Sequence, residues 1–372
     1  MSPMNSSVAL PFPQARSVAL WLWIVCTMIV TMVGVGGITR LTESGLSMVS
    51  WQPILGALPP GTEAEWQQAF NDYKELAATQ FEKFSADREM TLADFQEIFF
   101  WEYMHRLLGR VIGLAYALPL FYFLIRYRIP GRWKIRLWIG LLLGGSQGLL
   151  GWYMVKSGFA DLASVSHFRL AAHLCLALFV LCYLLWMIFD LHPFPSSAPM
   201  TTSLKQLRAC TCGVLSLITL QIVYGAFTAG LRAGYTYNTY PKMGNSWLPD
   251  NLMSERFSSF FSNIVSNPVT VQFIHRNLGL LAVLAVLALW AFSRQHELLK
   301  RQSFAFSLLL SLVGVQFALG VLTLISGMNI ALAVSHQVSA CFLLGSLVWA
   351  IHQLLPSGGK QFGISTKPKE AT

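Results

Sequence analysis

Charge is what this sequence has little of: only 12% of its 372 residues are Asp, Glu, Lys or Arg, against roughly 25% in a soluble globular chain. That shortage all but excludes a soluble multidomain enzyme. Lys and Arg outnumber acids by 26 to 17, a net charge of +9, but they are dispersed in short loops between apolar runs. No basic domain results, so nucleic acid is not an expected partner. The sequence also lacks any CxxC pair, and its six cysteines (Cys26, Cys175, Cys182, Cys210, Cys212 and Cys341) lie within or at the edge of apolar runs. Neither a structural disulfide nor a Cys-based zinc site is implied. What is abundant is hydrophobic sequence, 54% of the chain, with a mean hydropathy of +0.53. Apolar runs of about 20 residues recur, the length of helix that crosses ~30 Å of hydrocarbon.

The chain therefore reads as an all-α polytopic membrane protein with eight transmembrane spans: Val18–Gly37, Ile98–Ile125, Leu137–Val155, Leu170–Phe189, Ala209–Ala229, Val269–Phe292, Phe304–Ile325 and Ile330–Leu355. The first span follows one cation, Arg16, and no small-residue cleavage site, which makes it an anchor and not a signal peptide. Alternate connecting segments hold fourteen and eight Lys/Arg. By the positive-inside rule both termini are cytoplasmic, and the loops 40–97 and 230–268 face outward. In the first of these loops Thr62 with Glu65, and Thr91 with Asp94, have capping-box spacing. Trp66, Phe70 and Tyr73 recur at helical spacing, which suggests an amphipathic helix on the membrane face or a lid over a site.

The two halves repeat. Glu102-Tyr-Met-His105-Arg106 with Gly109 overlays Gln272-Phe-Ile-His275-Arg276 with Gly279 at an offset of 170, and the segment from Gln147 to Gly158 overlays that from Gln316 to Gly327 at 169. Gly36, Thr39 and Gly45 match Gly225, Thr228 and Gly234 at 189. Four spans per unit is an even number, so the two units are parallel. The expected organisation is an N-terminal four-helix bundle over 1–190 carrying the outer loop 40–97, a cytoplasmic linker 191–208, a C-terminal bundle over 209–355 and a cytoplasmic tail 356–372.

Histidine in lipid is costly and usually functional. Of eight, His192, His296 and His352 fall at or beyond the inner ends and read as solvated. The other five fall near the outer ends of their spans. At 1.5 Å per residue, His105, His173, His275 and His336 stand roughly 22–30 Å above the inner edge, and His167 roughly 33 Å, at the interface. Two helices of each bundle thus offer one imidazole each, His105 with His173 and His275 with His336. A plain overlay at 169 would match His167 to His336 instead. Opposed imidazoles suit six-coordinate haem iron; zinc or di-iron sites would need carboxylate or Cys ligands at i+3 or i+4, which are absent. Arg106, Arg110, Arg169 and Arg276, set among apolar residues at the outer ends, are placed to pair haem propionates or to snorkel to lipid phosphate. Gly34, Gly36, Gly37, Gly144, Gly145, Gly148 and Gly151 allow close approach of a helix or a macrocycle.

These residues carry a family resemblance. The stretch Gly36-Gly-Ile-Thr-Arg-Leu-Thr-Glu-Ser-Gly-Leu-Ser-Met48, the Trp51-Gln-Pro53 turn, Phe100-Trp-Glu-Tyr-Met-His-Arg106 with Gly109-Arg110, Arg169-Leu-Ala-Ala-His173-Leu and His275-Arg276 resemble the haem A synthases of proteobacteria and mitochondria. The resemblance implies two pseudosymmetric bundles, one holding haem b and the other the substrate, and oxidation of the C8 methyl of haem O to the formyl group of haem A for terminal oxidases. It implies a place in the bacterial inner membrane, and haem O synthase and oxidase assembly factors as partners beside membrane lipid; homo-oligomerisation is left open. Some members carry a cysteine pair in the outer loops, which this chain lacks. Glu102 lies one turn before His105, where the other half has Gln272, and only a carboxylate moves protons. On that difference Glu102 is the candidate catalytic group, the alternative being an ion pair with Arg106 at i+4; His105 and His173 ligate the iron of the substrate haem, and His275 and His336 are the axial ligands of haem b. The alternatives are a dihaem b-type quinol oxidoreductase subunit and a transporter.

Overall fold

In the computed structural model the described residues are 11–48, 58–80, 90–158, 165–192 and 201–355. Among them the chain is helical, apart from one isolated bridge between Met243 and Ser246. The helices are α1 (Ala15–Leu41), α2 (Glu63–Gln80), α3 (Leu92–Arg126), α4 (Gly131–Gly158), α5 (His167–Leu191), α6 (Thr202–Gly230), α7 (Phe260–Ser266), α8 (Pro268–Ser293), α9 (Lys300–Ile325) and α10 (Ile330–Gln353).

Seven of these, α1, α3, α5, α6, α8, α9 and α10, are long and apolar enough to cross a membrane. Eight were expected. The missing one, α4, has 28 residues, ample length, but Gly140, Gly144, Gly145, Gln147, Gly148 and Gly151 dilute its hydropathy. Local chemistry sets the ends. Thr91 and Asp94 form the expected capping box, Thr91 Oγ1 accepting from the Asp94 amide at 3.2 Å and Asp94 Oδ2 accepting from the Thr91 amide at 2.9 Å. Asn267 caps α8 through a 3.0 Å bond from the Val269 amide, and Pro268 opens the first turn, where its missing N–H costs nothing.

α1 packs on α3 and α5, and α4 packs on both of these, so the four close on one another; α6, α8, α9 and α10 do the same in the order α6–α8–α9–α10–α6. The sets meet along α1–α10, α5–α6 and α5–α10. One apolar core runs through both, with Leu22, Leu184, Met187, Ile188 and Leu347 almost wholly buried.

Three expectations change. Helix α6 starts at Thr202, because the Thr201 hydroxyl caps it by accepting from the Leu204 amide at 3.2 Å, so part of the expected 191–208 linker is helical. The aromatic face of α2 is not turned to lipid: Trp66, Phe70 and Tyr73 pack on Phe95 and Phe99, with Phe70 and Phe95 buried. Finally, His352 is not solvated. Its Nε2 lies 2.9 Å from Asp190 Oδ1, and its ring packs on Trp186 and Phe189, tying α10 to α5.

Candidate functional site

His105, His173, His275 and His336 each face a glycine on a neighbouring helix. A Cβ built on Gly36 of α1 would stand 3.2 Å from His105 Nε2, and one on Gly151 of α4 would stand 3.0 Å from His173 Cε1. In the second set a Cβ on Gly225 of α6 would stand 3.1 Å from His275 Cε1, and one on Gly320 of α9 would stand 2.8 Å from His336 Cε1. Contacts that short are tighter than almost all real Cβ contacts, so a larger residue at any of these glycines would press on the imidazole, most of all at Gly320.

The histidines of α5 and α10 also share a partner. Gln147 Nε2 lies 3.2 Å from His173 Nδ1 and donates to the His173 carbonyl at 2.9 Å. Gln316 Nε2 lies 3.2 Å from His336 Nδ1 and donates to the His336 carbonyl at 3.0 Å. The main-chain oxygen of Gln316 stands 3.0 Å from His336 Nδ1. With Nδ1 donating to that carbonyl, His336 keeps a lone pair on Nε2, the form that ligates a metal. These contacts identify His173 as the counterpart of His336. His167 faces elsewhere: its Nε2 lies 3.0 Å from the Val265 carbonyl and its ring sits against Phe227.

Outside each pair a short 3-10 turn lies over α3 or α8: Ser44–Leu46 in one half, Ala233–Tyr235 in the other. Each follows a residue in the left-handed region, Glu43 at φ 58° and Arg232 at φ 52°. Glu102, 3% exposed, accepts from the Ser47 hydroxyl at 2.7 Å and the Met48 amide at 2.8 Å through Oε2, and pairs with Arg106 at 2.6 Å through Oε1. In the other half Gln272, 2% exposed, donates Nε2–H to the Tyr237 carbonyl at 3.0 Å, and Arg276 donates to the same oxygen at 2.9 Å.

Among the described residues no three His, Cys, Asp or Glu side chains gather at one point. A metal ion held here must bring most of its own ligands, as haem iron does, and two imidazoles with glycines under them fit that requirement.

A family profile described as cytochrome oxidase assembly protein matches residues 19–348. The chain belongs to this family. Similar curated proteins include the haem A synthase of Flavobacterium johnsoniae, 37% identical over 91% of this chain and 98% of its own. The haem A synthase of Novosphingobium aromaticivorans is 41% identical over 93% and 98%, and that of Bos taurus 41% over 95% and 86%.

The four arginines are variously engaged. Arg106 donates to Met48 O at 3.2 Å besides holding Glu102, and Arg276 adds the Lys242 carbonyl at 3.2 Å. Arg169 stacks on the Tyr153 ring at 3.8 Å and donates to the Tyr153 carbonyl. Arg110 is half-buried one turn in from Arg106. Gly34 and Gly37 serve a different purpose from Gly36: they let α10 approach α1, where Gln337 donates to the Val33 carbonyl at 3.0 Å. Gly144, Gly145 and Gly148 have open space where a Cβ would be. Sequence reasoning missed Ser47, Gly320 and the role of Gln147 and Gln316, although both glutamines head the repeat segment that it had aligned.

Proposed function

We propose that the two histidine pairs do different work in one reaction, the oxidation of the C8 methyl of haem O to the formyl group of haem A. The chain is a haem A synthase, a membrane oxidoreductase whose substrate is haem O. The observation that carries the division of labour is a chemical difference at matching buried positions, Glu102 against Gln272. On this reading the eight helices α1, α3, α4, α5, α6, α8, α9 and α10 all span the membrane as two parallel bundles. Both termini are cytoplasmic, in a bacterial inner membrane.

His105 and His173 hold the substrate iron, and Gly36 and Gly151 set how far each imidazole withdraws from the centre of the bundle. Glu102 is the catalytic carboxylate, one helical turn outward of His105, placed to accept or return a proton at the substrate. His275 and His336 are the axial ligands of a resident haem b, with Gly225 and Gly320 behind them. When bound, haem b supplies a one-electron redox centre. Gln272 has no acid–base role there, since an amide neither gains nor loses a proton near pH 7. Arg106, Arg110, Arg169 and Arg276 line the outer ends, where propionates would lie. Haem O synthase is the expected supplier of substrate, and oxidase assembly factors the expected recipients of product.

Replacement of either axial ligand tests the assignment. His275→Ala and His336→Ala should each abolish the low-spin b-type spectrum of the purified protein, whereas His167→Ala, whose ring faces Val265 and Phe227, should leave it in place. Loss of that spectrum in His167→Ala with its retention in His336→Ala would overturn the assignment.

A further inference from the structure

Ser47 and its counterpart in the other half have diverged in step with the residues beneath them. At the offset of 189, Ser47 matches Thr236 and Met48 matches Tyr237. Ser47 is 2% exposed; Thr236 is exposed. The Ser47 hydroxyl donates to Glu102 Oε2 at 2.7 Å, and the neighbouring Met48 amide donates to the same oxygen at 2.8 Å. Over Gln272 the turn presents a carbonyl instead, that of Tyr237, which accepts from the amide at 3.0 Å. One turn therefore offers donors to a carboxylate and the other offers an acceptor to an amide. The difference follows the charge of the residue below and not the repeat.

We infer that Ser47 is a positioning residue for the haem O reaction, holding Glu102 Oε2 in one orientation as a carboxylate. The inference rests on the catalytic role proposed for Glu102. Arg106 grips Oε1 at 2.6 Å, which leaves the carboxyl group free to swing about that contact unless Oε2 is also held. The Met48 amide supplies one bond to Oε2, but it belongs to the backbone of the turn. Ser47 adds a side-chain bond to that oxygen beside the one from its backbone neighbour, and its hydroxyl also lies 3.4 Å from the Ile98 carbonyl of α3. Support of this kind around a reacting group is commonly worth a factor of about 10–100.

The test is a double-mutant cycle on the purified full-length protein carrying haem b, with haem O as substrate and with the b-type spectrum read in every variant. Ser47→Ala should lower kcat about tenfold at unchanged KM, raise the share of hydroxymethyl over formyl product, and leave the b-type spectrum as in wild type. Ser47→Thr should restore most of the rate, since a hydroxyl is returned. In a Glu102→Gln background Ser47→Ala should cause no further loss, because the group it serves is gone. Equal losses from Ser47→Ala in both backgrounds would show that the hydroxyl acts on the fold alone, and a neutral Ser47→Ala beside an inactive Glu102→Gln would overturn the inference. Full activity in Glu102→Gln would instead overturn the role of Glu102 itself.

Discussion

At the scale of single residues, glycines do the most specific work. Gly320 and Gly151 sit under imidazole rings, where a Cβ would stand 2.8 and 3.0 Å from the ring, whereas Gly314, on the same helix as Gly320, has nothing within 4 Å of the Cβ position. Gly320→Val should push the His336 ring off axis and remove the b-type spectrum, and Gly314→Ala should leave it unchanged. Gly151→Val should keep that spectrum and lose haem O oxidation. Difference spectra of the three purified variants check this directly; retention of the spectrum in Gly320→Val would separate the glycine from the ligand. The sequence shows that such glycines exist, and the repeat pairs Gly36 with Gly225, but it does not separate these from Gly34 and Gly37, which serve helix packing. Spacing along one helix carries no information about what stands opposite. The burial of the Glu102–Arg106 pair is likewise invisible at i,i+4 spacing. It raises the stakes of Glu102→Gln, since an amide would set an N–H against Ser47, Met48 or Arg106.

At the scale of elements, the repeat was legible wherever offsets held and ambiguous where they slipped. Gln147 and Gln316 are 169 apart, but the histidines that they meet, His173 and His336, are 163 apart. The stretch from Gln147 to His173 is therefore six residues longer than that from Gln316 to His336, which is why a plain overlay favoured His167. Helix α2 shows a limit of a different kind. Trp66, Phe70 and Tyr73 give the same sequence pattern whether they meet lipid or protein, and only the start of α3 reveals that they meet Phe95 and Phe99. Because Phe95 is fully buried there, Phe95→Ala should cost about 3–5 kcal/mol of local packing. Amide exchange should then accelerate along α2 while the b-type spectrum stays constant. Unchanged protection of α2 would mean that something other than α3 holds it.

At the scale of the whole molecule, the two halves grip each other through matched positions. Arg40 donates to the carbonyl of Ala229 at 2.6 Å, and Glu43 pairs with Arg232 at 2.7 Å; in both cases the partners are 189 apart, the offset that relates the halves. Residues that touch their own repeat mates are what a two-fold relation between parallel units produces at its axis. Reporter fusions after Pro130 and Ser196 should read cytoplasmic, and those after Gly61 and Asn245 external; the inverse pattern would place the histidine layer on the wrong side. The central claim, that one half takes haem O while the other keeps haem b, is tested most directly by reverse-phase separation of haems extracted from purified protein. Wild type should yield haem B together with haem O or its oxidised products. A His105→Ala/His173→Ala double variant should keep haem B and lose the others. Loss of haem B from that variant with retention of haem O, or haem B alone in wild type, would contradict the account.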